Sequence, residues 1–274
     1  MPAPNPRTIG ILSERSLHAA LKRQFAQPSD GVEVKIDGYW IDIVRPWPVD
    51  AAKAVTLSPL LIEIQTSGFS AIQAKLRDLL ARYRVHLIHP IATERWIVKQ
   101  DADGRELGRR RSPSKGHAAH IFEALVGCAD LLAHPNLSIE TLLIREEEIR
   151  QPNDLPQKGR WRREWKSVDR RLLEICERQL YEVPSDLLGL LPTPLPASFT
   201  SAELARAMRI PLALAHRVTY CLRHLKLIAE AGRRGRAKVY ALADKVRTGP
   251  MLPIGRTHHE IFFMSPRTKE AQSN

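Results

Sequence analysis

The sequence predicts an α/β protein, with a mixed sheet flanked by helices in roughly its first 150 residues and a smaller, mainly α-helical domain near its C-terminus. Three observations carry this. Between Ser13 and Ile149, runs that alternate apolar and polar residues are interleaved with segments of helical period. Asp37-Gly38, a pair that tolerates the positive φ of a tight turn, separates two of those runs. Beyond the break at Pro192-Thr193-Pro194-Leu195-Pro196, two helical patterns precede a short basic hairpin. The length of 274 residues accommodates two domains of ordinary size.

Composition narrows the partners. Apolar content of 43% is that of a globular chain, whereas a formal net charge of +12 is far from balanced and attracts polyanions. Nucleic acid comes first, because neutralising phosphates releases counterions; an anionic membrane or an acidic protein answers the same field. Cys128, Cys176 and Cys221 are widely spaced and odd in number, so neither a disulfide framework nor a Cys-x-x-Cys zinc site is readable. No signal-like or membrane-spanning apolar run is present, and a reducing, cytoplasmic setting is the default expectation.

Taken in order, Leu17, Ala20, Leu21 and Phe25 recur at helical spacing after Ser13, a candidate N-cap, with Glu14 in the first turn. Val32, Val34 and Ile36 alternate with Glu33 and Lys35, and Tyr39 to Val44 completes a hairpin. Asp42 falls on the face opposite Ile41 and Ile43, in a strand where aspartate is depleted. Pro46 and Pro48 end this strand, and Leu60 to Gln65 begins the next, with Leu61, Glu63 and Gln65 sharing one face. A carboxylate in so apolar a run needs a partner, either an arginine at the strand end or a metal ion.

Ser70 and Gln73 resemble a capping box for a helix whose stripe is Ile72, Leu76, Leu79, Leu80 and Tyr83 and which carries Lys75. Val85–Ile91 and Arg95–Lys99 read as two strands. The segment from Asp101 to Gly116, with Arg105, Arg109, Arg110, Arg111 and Lys115, reads as a basic loop that is either a solvated charge run or a phosphate-facing element. His117–Ala133 is expected to be a helix and Leu137–Ile144 a strand. Residues 151–195 read as a basic linker and connecting helix. In it, Trp161 and Trp165 stand among cations, either to dock the linker or to clamp nucleic acid, and Val168–Tyr181 supplies the helix.

Beyond the proline break, Thr200 and Glu203 form a capping box for Ser201–Met208, and Leu212–Leu225 is a second helix. A hairpin follows, with Gly232-Arg233-Arg234-Gly235 at its tip. Residues 244–274 are assigned to a flexible tail. His258-His259-Glu260 in that tail, and the isolated His86 and His89, read as surface or core residues rather than ligands.

Over residues 196–243 this order resembles the winged helix-turn-helix family. The resemblance implies DNA binding, with His216, Arg217, Tyr220 and Arg223 on a recognition helix and Arg233, Arg234, Arg236 and Lys238 on the wing. Residues 1–150 resemble the PD-(D/E)XK, or restriction-endonuclease-like, nuclease superfamily, through Glu14 on a first helix, Asp42 on a hairpin strand and Glu63-Ile64-Gln65 on the next strand. That resemblance implies a hydrolase cutting phosphodiester bonds in DNA, alone or as a homodimer, with Mg2+ or Mn2+ held by Asp42, Glu63 and the Ile64 carbonyl. It also implies a catalytic group of Glu14, Asp42, Glu63 and Gln65. Gln65 stands where the family usually has lysine; a glutamine hydrogen-bonds but carries no charge, and Lys75 on the following helix is the candidate replacement. The basic segment Arg109-Arg110-Arg111 and Lys115 completes the expected DNA contacts, and a catalytically inactive DNA-binding adaptor is the alternative.

Overall fold

A computed structural model of the chain describes residues 16–46, 58–153 and 164–243. Ser13, Glu14, Trp161, His258-His259-Glu260 and the expected tail at 244–274 lie outside them.

The elements run α1 (Ser16–Phe25), β1 (Gly31–Ile36), β2 (Tyr39–Arg45), β3 (Leu60–Ile64), α2 (Gln73–Leu80), β4 (Arg84–Gln100), β5 (Glu106–Arg111), α3 (Ile121–Leu125), β6 (Leu137–Pro152) and β7 (Trp165–Tyr181). They continue with β8 (Phe199–Thr200), α4 (Ser201–Met208), α5 (Leu212–His224), β9 (Ile228–Arg234) and β10 (Ala237–Leu242). Seven strands form one mixed sheet in the order β1-β2-β3-β4-β6-β7, with β5 added to β4. β1 and β2 make the hairpin expected from Asp37-Gly38, whose φ values are 49° and 88°. The central β3-β4 and β4-β6 pairs are parallel. Parallel strands covered on both faces must be apolar throughout, and every residue of Leu60–Ile64 is buried.

Each face has its own cover. Leu17 and Leu21 of α1 pack on Ile43, Ile62, Ile64, Ile88 and Leu142. The opposite face packs Leu61, Val85, Leu87 and Ile139 under Leu76 and Leu79 of α2 and under Phe122 and Leu125 of α3.

Several expectations are corrected. Val168–Tyr181 is not a helix but part of β7, and the sheet therefore runs on to Tyr181 through what was expected to be a linker. Its Arg, Leu and Glu residues favour a helix by intrinsic propensity, but pairing with β6 covers an edge that otherwise stays open, and non-local pairing overrides local preference. Leu172 and Ile175 pack on the α1 face, and Arg178 binds Glu140 at 2.5 Å.

The expected basic loop contains β5, an edge strand with all six residues exposed. The two strands expected between Val85 and Lys99 are one continuous β4. Only Ile121–Leu125 of the expected helix 117–133 is α-helical; a 3-10 turn, Ala118–His120, precedes it, and Gly127 at φ 87° separates it from a second, Ala129–Ala133. Ser70 and Gln73 form no capping box; a 3-10 turn, Phe69–Ile72, precedes α2 and Gln73 instead donates to the Gly127 carbonyl.

Near the C-terminus the expected elements form. Thr200 accepts from the Glu203 amide while Glu203 accepts from the Thr200 amide at 2.8 Å. Arg209 closes α4 in the left-handed region, Pro211 precedes α5, and β8, β10 and β9 make a three-stranded sheet. This unit shares the larger core: Val218, Cys221 and Leu222 of α5 belong to the same cluster as Phe122 and Leu125. The Cys221 thiol donates to the Phe122 carbonyl at 3.6 Å, and Arg217 pairs with Glu123.

Candidate functional site

The pairing of β2 with its neighbours fails around Asp42. The β2-β3 ladder ends at Ile43 opposite Ile62, and in the β1-β2 ladder Val32–Ile43 and Val34–Ile41 pair while Glu33, between them, has φ 54°. A glutamate in the left-handed region costs roughly 1 kcal/mol, a strain that occurs where surrounding structure imposes it. The alternation expected of β2 is broken at the same place: Ile41 packs in the core of one sheet face and Ile43 in that of the other. Beyond the end of the ladder the Ile64 amide needs an acceptor, and Asp42 Oδ2 supplies it at 2.8 Å.

Two basic side chains approach this carboxylate. His18 Nε2 lies 3.2 Å from Asp42 Oδ2, and Lys22 Nζ lies 3.9 Å from Oδ1. Lys22 is itself buried and donates to Glu33 at 2.7 Å. Burial pushes the Asp42 carboxyl upward, but the hydrogen bond and charge of His18, the Ile64 amide and Lys22 outweigh it and hold Asp42 below the usual aspartate value.

Glu63 answers differently. It is 7% exposed, and Lys75 Nζ, reaching across from α2, donates to Oε1 at 2.7 Å and to the Trp40 carbonyl at 2.5 Å. Burial drives the Glu63 carboxyl up from 4.5 to about 7; Lys75 restrains the rise and the nearby Asp42 charge adds to it. Two neighbouring carboxyls are thus set apart, one held ionised and one able to exchange a proton near neutrality.

The expected catalytic residues are brought together unequally. Asp42, Glu63 and Lys75 converge, whereas the Gln65 amide nitrogen donates to Ser67 Oγ at 3.0 Å and to the Gly68 carbonyl at 3.2 Å, in the turn after β3. The Gln65 carbonyl accepts from His89 at 2.6 Å, and burial holds that imidazole below its usual value. Glu14 lies outside the described residues. His18 and Lys22 were not anticipated, although a signal existed: they stand four residues apart, a spacing that puts both on one helix face.

A divalent cation is partly accommodated by this donor set. Among the described residues no three His, Cys, Asp or Glu side chains group around a metal position. Asp42 Oδ2 is hydrogen-bonded and Oδ1 has Lys22 at a distance too long for a hydrogen bond, so that oxygen retains acceptor capacity. Magnesium commonly takes one or two carboxylates and fills its remaining positions with water and phosphate, which this pair can meet. The partner that a carboxylate in so apolar a strand needs is supplied to Glu63 by Lys75, while Lys22 and His18 approach Asp42.

The expected nucleic-acid contacts divide in the same way. Arg109 binds Glu147 and lies over the Trp96 ring at 4.2 Å, and Arg111 binds Glu94, so two of the three β5 arginines are engaged within the sheet; Arg110 is exposed. Arg234 is held by Glu203, and Lys238 by Glu230. Arg223, Arg233 and Arg236 make no ion pair within 4.0 Å among the described residues. A cleft of 450 Å3 between α5 and β10 carries His216, Tyr220, Arg223, Arg236 and Lys238 on its walls. His86, buried, is bound by Ser138 and Glu140 in the sheet.

No helix among the described residues is long and apolar enough to cross a membrane. No solved structure matches the chain. A protein of Treponema pallidum (strain Nichols), described as an uncharacterized protein, is 30% identical over 237 residues, covering 85% of this chain and 87% of its own length. A family profile, "Domain of unknown function (DUF8091)", matches residues 15–182, which begin just before α1 and end just past β7, so the family unit coincides with the large sheet and its α1 cover. The chain belongs to this DUF8091 family.

Proposed function

We propose that the chain is a Mg2+- or Mn2+-dependent, DNA-cleaving phosphodiester hydrolase of the restriction-endonuclease-like kind, with a winged-helix module at residues 196–243 that places it on double-stranded DNA. The observation that carries this is the convergence of Asp42, Glu63 and Lys75 where the strands beside β2 stop pairing. Asp42 and Glu63 would hold the metal, with the Ile64 carbonyl as a third ligand; once bound, the metal polarises the phosphate and makes its water nucleophilic at neutral pH. Lys75 supplies the positive charge that Gln65 lacks and would stabilise charge on the phosphate. To hold the cation, Glu63 would have to be ionised, so binding would compete with its proton. The three cysteines are free, which suits a reducing cytoplasmic setting, and two copies acting together would cut both strands of a duplex.

Cleavage of supercoiled, linear and branched DNA in Mg2+, by the wild type and by Asp42→Ala, tests the activity. Identical behaviour of the two proteins, with no Mg2+ binding by either, sinks the catalytic assignment. Because the Glu63 carboxyl sits near 7, Mg2+ affinity is expected to rise by up to about tenfold per pH unit below pH 7 and to level off above it. Calorimetric titration at pH 5.5, 6.5 and 7.5 reads that dependence.

On the C-terminal unit, Arg223→Ala and Arg236→Ala are each expected to weaken duplex binding across sequences and to lower the salt slope by about 1. Arg217→Ala is expected to change the slope less, because Glu123 already holds that guanidinium. Anisotropy titrations between 50 and 200 mM salt, the span over which phosphate contacts are read, measure both.

The engagement of the Gln65 side chain in the Thr66–Gly68 turn favours a second reading, a DNA-binding adaptor without chemistry. DNA binding that survives loss of Asp42 and Glu63 but fails without Arg223 and Arg236, with no cleavage by the wild type, supports it over the enzyme.

A further inference from the structure

A second cavity, of 380 Å3, opens just past the carboxyl end of β3. Thr66, Ser67 and Gly68 form one wall, His89 to Ala92 and Arg95 the floor, and Ser114, Lys115 and Gly116 the far wall. Its volume is in the range of small-ligand sites, and its lining is rich in hydroxyls and basic groups.

The charges leave a definite remainder. Arg95 is committed to Glu146 at 2.7 Å and lies 3.6 Å from Glu148. Glu123, the acidic residue on the cavity wall, is paired with Arg217 of α5. Burial keeps His89 toward its neutral form. Lys115 makes no ion pair within 4.0 Å among the described residues, so its charge is the one on this wall without a counter-ion there.

The wall carrying Lys115 is held in place. The Gly116 amide donates to the Ala92 carbonyl at 2.9 Å, and a Cβ at position 116 would come within 2.4 Å of that oxygen. Only glycine permits so close an approach, and it fixes Ser114 and Lys115 over the cavity. On the opposite wall Arg170 donates to the Thr66 carbonyl at 3.2 Å and steadies the turn. Thr66 follows Glu63 by three residues, so the cavity and the carboxylate site lie at the same end of β3.

We propose that this cavity binds a phosphate group of the nucleic-acid strand that the carboxylate site engages, with Lys115 as its cation and the Ser67 and Ser114 hydroxyls as donors. The proposal deepens the function given above and rests on it for the identity of the strand. The phosphate is either an internal diester or a terminal monoester, and the two sources share this recognition chemistry.

The test titrates full-length protein with inorganic phosphate and with oligonucleotides carrying either a 5′-phosphate or a 5′-hydroxyl, for wild type, Lys115→Ala, Lys115→Arg and Gly116→Ala. Wild type is expected to bind inorganic phosphate and the 5′-phosphorylated strand, with affinity falling about tenfold in Lys115→Ala and retained in Lys115→Arg, as removal of one charge-assisted contact implies. A 5′-phosphate preference lost in Lys115→Ala identifies an end site; equal binding of both oligonucleotides, weakened equally by Lys115→Ala, identifies an internal diester. Lys115→Ala binding all probes as wild type does overturns the proposal. Because Lys115 is exposed, that variant tests recognition without testing the core; Gly116→Ala is expected to lose phosphate binding by displacing the wall. If wild type never cleaves DNA but phosphate binding still depends on Lys115, the cavity stands and only the nuclease assignment falls.

Discussion

Replacing Asp42 by alanine is expected to reduce metal-dependent DNA cleavage by at least about 10³-fold, the scale on which removal of a group acting on developing charge is felt. The same change is expected to cost stability, because it leaves the Ile64 amide without its acceptor, takes a hydrogen-bond partner from the half-buried His18 and a counter-charge from the buried Lys22; an unsatisfied buried donor costs about 1–3 kcal/mol. Asp42→Asn separates the two effects. Its side-chain carbonyl still accepts from the Ile64 amide, so most stability is expected to return while cleavage stays lost. The linkage follows from the lowered carboxyl value: Asp42 stabilises the fold above its unfolded pKa, and this contribution disappears as pH falls through the lower folded value. Urea unfolding and plasmid cleavage on the three proteins measure both arms. Full cleavage by Asp42→Asn removes the carboxylate from the chemistry.

Glu63→Gln is expected to act in opposite directions on activity and on stability. A carboxyl raised from 4.5 to about 7 binds its proton more tightly in the folded chain than in the unfolded one. Its contribution is therefore most favourable below about pH 4.5 and is lost as pH rises through about 7, and the difference between the two values corresponds to roughly 3 kcal/mol. Glutamine keeps an acceptor for Lys75 and never ionises. At pH 8 the variant is expected to be more stable than wild type by about 1–2 kcal/mol, the remainder being offset by the lost charge partner of Lys75, and at pH 5 the two are expected to be nearly equal. Cleavage is expected to be abolished. Denaturation midpoints at both pH values decide it; a wild type that gains on Glu63→Gln as pH rises would show that the buried carboxyl is not strained by ionisation. Such an exchange of stability against activity is the expected mark of a working site.

Much of this site could be read along the chain, for identifiable reasons. Asp42 and Glu63 are each polar residues inside apolar strand patterns, and that conflict shows without coordinates. Lys75 could be named because its helix begins a few residues after β3. His18 and Lys22 escaped notice because an amphipathic helix already accounts for polar residues on its outer face, and only the packing of α1 on the sheet brings them to Asp42. Gln65 shows the reverse: its place in the motif suggested a catalytic position, yet local hydrogen bonds in the Thr66–Gly68 turn claim its side chain. In β5, a run of arginines looked like a loop because local sequence carries no record of Trp96 and Glu147 beneath it.

By itself, the sequence determined the local elements whose signals lie within a few residues: the Asp37-Gly38 hairpin, the buried β3 run, the Thr200–Glu203 cap and the two helices near the C-terminus. Those features depend on backbone preferences and on periodicities that span one element. Tertiary structure alone decided that Val168–Tyr181 is a strand, that β4 is continuous, that the C-terminal unit shares the core of the large sheet, and that Lys22, Lys75 and His18 converge on two carboxylates. Those outcomes depend on partners far apart in the chain, where burial and pairing contribute more than the local propensities they override.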